Sequence, residues 1–203
     1  MSPTYPTPPA IVQIYADGGL LSPNRSQVGG SFAACALDAQ GTYLATCSGV
    51  RLGVVSSPVM EFIAAVWALK MAPDGWEGTL LSDNLFALRL VDGRTKPNPE
   101  TLPPEYIEEL AYQKARLGNI KTVLLDGHPT RAQLASGIGS RGNPVSKHNA
   151  WCDERCNALR DMYFAGTLTP EQLVRDDMVL SVGVGRMAVP EALRVPRQGA
   201  FQF

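Results

Sequence analysis

Ile11-Val12-Gln13-Ile14-Tyr15-Ala16-Asp17-Gly18-Gly19 is the stretch on which the reading of this chain turns. Ile11 to Ala16 is a short apolar run of strand length. It ends on an acid followed by two glycines, whose lack of a Cβ lets the backbone turn tightly beside the carboxylate. The arrangement recurs where Asp83 follows Thr79-Leu80-Leu81-Ser82. Two more acids stand at helix starts: Glu61 in the first turn of a segment from Val59 to Ala72, and Asp153 opening one from Asn149 to Phe164. Four carboxylates brought together repel one another, so their placement points to a site that holds divalent cations.

Working outward, Ser31 to Leu37 and Thr42 to Gly49 read as a second and third strand, joined by the hairpin signal Asp38-Ala39-Gln40-Gly41. The first three strands then form an antiparallel meander. From Pro58 the period changes, with Met60, Ile63, Ala64, Trp67 and Met71 on one helical face, Glu61 off that stripe, and Pro73-Asp74-Gly75 as the stop. Strand Thr79 to Ser82, helix Asn84 to Val91, a turn-rich loop from Asp92 to Pro103, helix Pro104 to Leu117 and strand Ile120 to Leu125 follow. This order predicts an α/β fold whose mixed five-stranded sheet carries helices on both faces. In such sheets, sites form at carboxyl ends of strands, where Asp17 and Asp83 are expected.

The domain organisation reads as a disordered leader over 1–10, one catalytic domain over 11–164 and an extension over 165–203. The segment Gly127 to His148 holds four glycines, two prolines and the side chains His128, Arg131, Arg141, Lys147 and His148, and reads as a structureless binding loop or lid. His148 is expected at the solvent, and Trp67 and Trp151 in the core. In the extension, Thr169-Pro170-Glu171 signals a short helix and Met178 to Val184 an apolar run that packs back on the domain. The terminal Phe201 and Phe203 either pack likewise or dock on a partner.

With 45% hydrophobic residues, 203 positions suffice for a sizeable core, and a net charge of -1 supplies no global basic field for nucleic acid. Any phosphate contact must therefore come from a local patch. No run approaches the length of a membrane span, and the start lacks a signal-peptide pattern, so the expectation is a cytoplasmic monomer. Cys35 and Cys47 fall in strand-like runs, and Cys152 and Cys156 lie four apart on a helix. That spacing makes neither a zinc knuckle nor a disulfide framework, leaving small buried thiols.

Each piece alone is weak, but their order resembles ribonuclease H. Ile14-Tyr15-Ala16-Asp17-Gly18-Gly19 is similar to the family's opening strand and first acid, Met60-Glu61-Phe62-Ile63-Ala64-Ala65 to its Met-Glu-Leu helix, and Leu81-Ser82-Asp83-Asn84 to its Thr-Asp-Ser strand end. Asp126-Gly127-His128 is similar to its Gly-His, and Asn149-Ala150-Trp151-Cys152-Asp153 to its Asn-Glu-Arg-Cys-Asp. The resemblance spans Ile11 to Phe164. One departure is Ser57-Pro58-Val59, where the family has an Asn-Asn-Arg that contacts the hybrid. A basic handle is also not evident.

The resemblance implies endonucleolytic hydrolysis of the RNA strand of RNA/DNA hybrids with two Mg2+ or Mn2+ ions, giving 5′-phosphate and 3′-hydroxyl ends. Asp17 would bridge both ions, Asp153 would complete the position that activates water, and Glu61 with Asp83 would serve the leaving 3′ oxygen. His128 would carry a proton, an imidazole being suited to that near neutral pH. Asn24 and Asn84 would meet substrate backbone, and Arg131, Arg141 and Lys147 its phosphates. The alternatives are a resolvase-like nuclease with the same acids, and a non-catalytic module binding nucleic acid or protein. The tail would serve a replication or repair partner.

Overall fold

The computed structural model describes residues 10–22 and 27–179. Five strands form one sheet: β1 (Gln13–Leu20), β2 (Gly29–Leu37), β3 (Tyr43–Leu52), β4 (Gly78–Ser82) and β5 (Ile120–Leu124). Their order is β3-β2-β1-β4-β5, antiparallel from β3 to β1 and parallel from β1 to β5. Helices are α1 (Ser57–Met71), α2 (Leu85–Val91), α3 (Pro104–Arg116), α4 (Arg131–Ser136) and α5 (Lys147–Ala165). The mixed sheet read from the sequence is thus present.

Alternation along the strands splits the core in two. Ile14 and Ala16 of β1 join Phe32, Ala34 and Ala36 of β2 under α1, while Tyr15, Ala33, Cys35 and Leu37 pack against Cys152 and Cys156 of α5. Central β2 is buried at every position, which explains why its sequence is a near-continuous apolar run with no polar alternation. All four cysteines are buried free thiols. Trp67 stacks on Phe32 at 5.5 Å and Trp151 tilts against Tyr43 at 5.7 Å, both within the packing of the domain.

Three details differ from the sequence reading. First, β1 does not end at Asp17: it runs to Leu20, with Gly18 paired to Phe32 and Gly19 to Ser31. Gly18 serves close packing and not a turn, since a Cβ there would collide with the Met60 carbonyl and lie 2.7 Å from the Glu61 nitrogen. Second, α1 begins at Ser57, so Glu61 is a turn deeper than expected. The helix is enclosed on nearly all sides, between the sheet and α2 and α3, and is not a one-stripe amphipathic helix. Likewise α5 begins at Lys147, which moves Asp153 into its second turn.

Third, the expected structureless loop is largely ordered. Thr130 caps α4 by accepting from the Gln133 nitrogen while Gln133 reaches back, Gly137 closes the helix with a φ of 78°, and Ile138 bridges Pro144. The Thr-x-x-Gln pattern of a capping box was a legible signal for this helix. His148, in α5, is buried and not at the solvent: its Nδ1 lies 2.9 Å from the Tyr43 hydroxyl, and burial lowers its pKa.

Beyond α5 the chain packs back on the domain. Leu173 bridges the edge strand β3 at Val50, the Val174 nitrogen donates to the Val50 carbonyl at 2.8 Å, and Arg51 grips Asp176 through Nε and Nη2 at 2.6 and 2.7 Å. Val179 is fully buried and its carbonyl accepts from Lys70 Nζ at 2.6 Å. The rest of the Met178 to Val184 run, Phe201, Phe203, the leader over 1–9 and Asn24 lie outside the described residues. No helix among those described is long and apolar enough to cross a membrane.

Candidate metal centre

Sheet topology assembles the acids. β1 pairs with β4 only from Gln13 to Tyr15, so beyond Tyr15 the two strands part, with Asp17 on one side and Asp83, just past β4, on the other. The glycine contact at Gly18 draws α1 down on β1 and carries Glu61 to the same place. One carboxylate oxygen from each of Asp17, Glu61 and Asp83 lies within 4.8 Å of the others. The Gly18 nitrogen donates to Asp17 Oδ1 at 2.9 Å and to Glu61 Oε2 at 3.2 Å.

No Lys or Arg ion pair neutralises these three among the described residues. The electrostatic cost shows in their proton affinity. Burial, then the charges of Asp83 and Asp153, push Asp17 up to about 8, against the opposing Gly18 N–H. Burial first, then Asp17 and Asp83, holds Glu61 well above the usual carboxylate range. Asp83 is raised by burial, with the neighbouring His128 opposing the shift. Hard oxygen donors, two buried and one half-buried, crowded and without a Lys or Arg ion pair, fit a divalent cation.

Asp153 stands outside that set of three, with Oδ2 3.4 Å from His128 Nδ1 and Oδ1 accepting from Asn157 Nδ2 at 3.3 Å. Its charge nonetheless bears on Asp17, Glu61 and Asp83. His128 reaches it from a left-handed backbone with φ 49°, a conformation a residue with a Cβ adopts at some strain, and its side chain is 79% exposed. Neighbouring Gly127 is pressed on Asp83, where a Cβ would collide with Oδ2. Gly127 and Gly18 are close-approach positions that composition alone does not reveal.

Of the expected substrate contacts, Asn84 caps α2 by accepting from the Ala87 nitrogen at 3.0 Å, which leaves its Nδ2 for any such role. Arg131 begins α4 and Lys147 begins α5, both exposed. Arg141 is tied to Asp126: its backbone nitrogen donates to Oδ2 at 2.6 Å and its Nε to Oδ1 at 2.9 Å.

No protein-family model and no curated protein matches the sequence. Solved structures do resemble the fold. The LC11 ribonuclease H1 in complex with an RNA/DNA hybrid is similar with a TM-score of 0.53 and 21% identity, over 75% of this chain and 98% of that one. A second structure of the same LC11 ribonuclease H1, isolated from compost by a metagenomic approach, gives 0.53 and 22%, over 75% and 96%. The N-terminal ribonuclease H domain of a Mycobacterium tuberculosis protein gives 0.52 and 18%, over 77% and 99%. With strand order, helix placement and these likenesses in agreement, the chain carries the ribonuclease H fold.

Proposed function

We propose that the chain is a divalent-cation-dependent endonuclease that hydrolyses the RNA strand of RNA/DNA hybrids, leaving 5′-phosphate and 3′-hydroxyl ends. The observation that carries the reading is the meeting of Asp17, Glu61 and Asp83 within 4.8 Å on this fold, with no Lys or Arg ion pair to any of them among the described residues. Asp17 would be shared by two ions. Glu61 and Asp83 would hold the position beside the leaving 3′ oxygen, and Asp153 would complete the second. Two Mg2+ or Mn2+ ions in such a site supply an activated water, charge neutralisation at the phosphate and stabilisation of the departing oxygen.

The chain's other residues act on the proton and the substrate. His128, exposed and 3.4 Å from Asp153, would carry a proton between the site and solvent. Nδ2 of Asn84, Asn24 and the cations Arg131, Arg141 and Lys147 are the proposed contacts to substrate backbone. A hybrid is recognised by shape and 2′-hydroxyls across its minor groove, which demands no sequence readout and no strongly basic chain.

The test is cleavage of a 5′-labelled RNA strand in a hybrid, against all-RNA duplex, all-DNA duplex and a four-way junction, with Mg2+, Mn2+ or EDTA. Metal-dependent cleavage confined to the hybrid, lost in Asp17→Asn, supports the reading. Preference for the junction would favour a resolvase-like nuclease. No cleavage of any substrate by the wild-type protein would leave a binding module.

A further inference from the structure

The chain that leaves β5 folds back around a single carboxylate. Asp126, 3% exposed, stands two residues past β5 and takes three donors from the returning limb: the Arg141 nitrogen, Arg141 Nε, and Asn143 Nδ2 at 2.8 Å. Its own nitrogen donates to the Pro144 carbonyl at 2.9 Å. This one side chain therefore fixes the limb that follows α4 against the strand end carrying Gly127 and His128.

Arg141 is held along one edge only. Backbone nitrogen and Nε are taken by Asp126, and Nη2 makes a long 3.4 Å contact to the Leu125 carbonyl, yet the side chain stays 60% exposed. Asp126, which holds it, immediately precedes Gly127, and Gly127 is pressed on Asp83 so closely that a Cβ there would collide with Oδ2. A tethered guanidinium has already lost much of its rotamer freedom, so a planar, bidentate oxyanion costs less to capture there than at a free surface arginine.

We propose that Asp126 is a positioning residue that clasps Arg141 to make a fixed phosphate-binding arm beside the metal centre, taking a backbone phosphodiester of the nucleic acid. The inference rests on the nuclease reading and narrows it: among the three cations of the segment, Arg141 is the built contact. Arg131 and Lys147, exposed at helix starts, contribute diffuse charge.

Steady-state cleavage of the hybrid by the full chain tests this. Arg141→Ala is expected to raise KM about tenfold with kcat within about threefold, and to lower the log–log salt slope of kcat/KM by about one unit. Arg141→Lys, keeping charge without the fork, should fall between. Asp126→Asn should raise KM severalfold, and Asp126→Asn combined with Arg141→Ala should be no worse than Arg141→Ala alone, since both act through one contact. Arg94→Ala, at a distant turn, is the control and should stay within about twofold. A wild-type protein that cleaves hybrids while Arg141→Ala keeps its KM and salt slope overturns this inference and leaves the nuclease reading intact. A fall in kcat at constant KM in Asp126→Asn overturns the positioning role. A wild-type protein that cleaves no hybrid sinks both.

Discussion

Replacing Asp17 by Asn separates the cost of the site from its use. In the metal-free protein Asp17 titrates at about 8 instead of 3.8, so the folded state binds a proton more tightly than the unfolded chain does. The sign follows: the stability associated with that proton is fully present below pH 3.8 and is lost as pH rises through about 8. A shift of roughly four units at about 1.4 kcal/mol each bounds the loss near 6 kcal/mol. Asn still buries an amide, and Gly18 loses a charged acceptor, so the recovered part is on the order of 2 kcal/mol. For a chain of this length that is a gain of about 4–8 °C in Tm at pH 8.5, shrinking toward zero at pH 4. Differential scanning fluorimetry in EDTA at both pH values measures it, with hybrid cleavage abolished in the same variant. Added Mg2+ or Mn2+ should raise the wild-type Tm at pH 8.5 and leave Asp17→Asn unmoved. An Asp17→Asn protein that melts no higher than wild type at pH 8.5, or gains equally at pH 4, would refute the argument that these carboxylates repel without metal.

Three more outcomes follow from particular contacts. His128→Ala should slow turnover by up to about 10²–10⁴-fold while calorimetric metal affinity stays largely unchanged, because the proposed role of the imidazole is proton transfer and it is no member of the carboxylate cluster; lost metal binding would contradict the role. Gly18→Ala should cost about 1–3 kcal/mol in urea unfolding and weaken metal binding, since the added methyl pushes α1 and Glu61 from β1. Truncation after Phe164 should lower Tm by several degrees through the loss of buried Val174 and Val179 and of the Arg51–Asp176 pair; an unchanged melt would mean that this segment serves a partner only.

Much of the fold was legible because its signals are local. The apolar runs of β1 and β2, the Asp38 to Gly41 turn and the change of period at Pro58 each follow from a few neighbouring residues. The order of acids was legible for the same reason. Their roles were only partly so: the sequence places Asp17, Glu61, Asp83 and Asp153 on named elements, but distance between elements belongs to the packing. Asp-Gly-Gly reads as a turn in isolation, and became extended strand because β2 offered Gly18 and Gly19 partners and α1 occupied the space a Cβ would need.

The sequence by itself determined the strand order and every long helix, the four buried thiols, the acids and the lack of an overall basic field. Tertiary structure decided which carboxylates meet. Asp17, Glu61 and Asp83 converge because β1 and β4 diverge beyond Tyr15 while a glycine lets α1 settle on β1. It also decided that His148 is a core residue against Tyr43, and that Arg141 is clasped by Asp126 across fifteen positions. The physical reason is one of range: propensity and periodicity act over a few residues, whereas a buried charge is defined by everything packed around it, and that is written only in the folded chain.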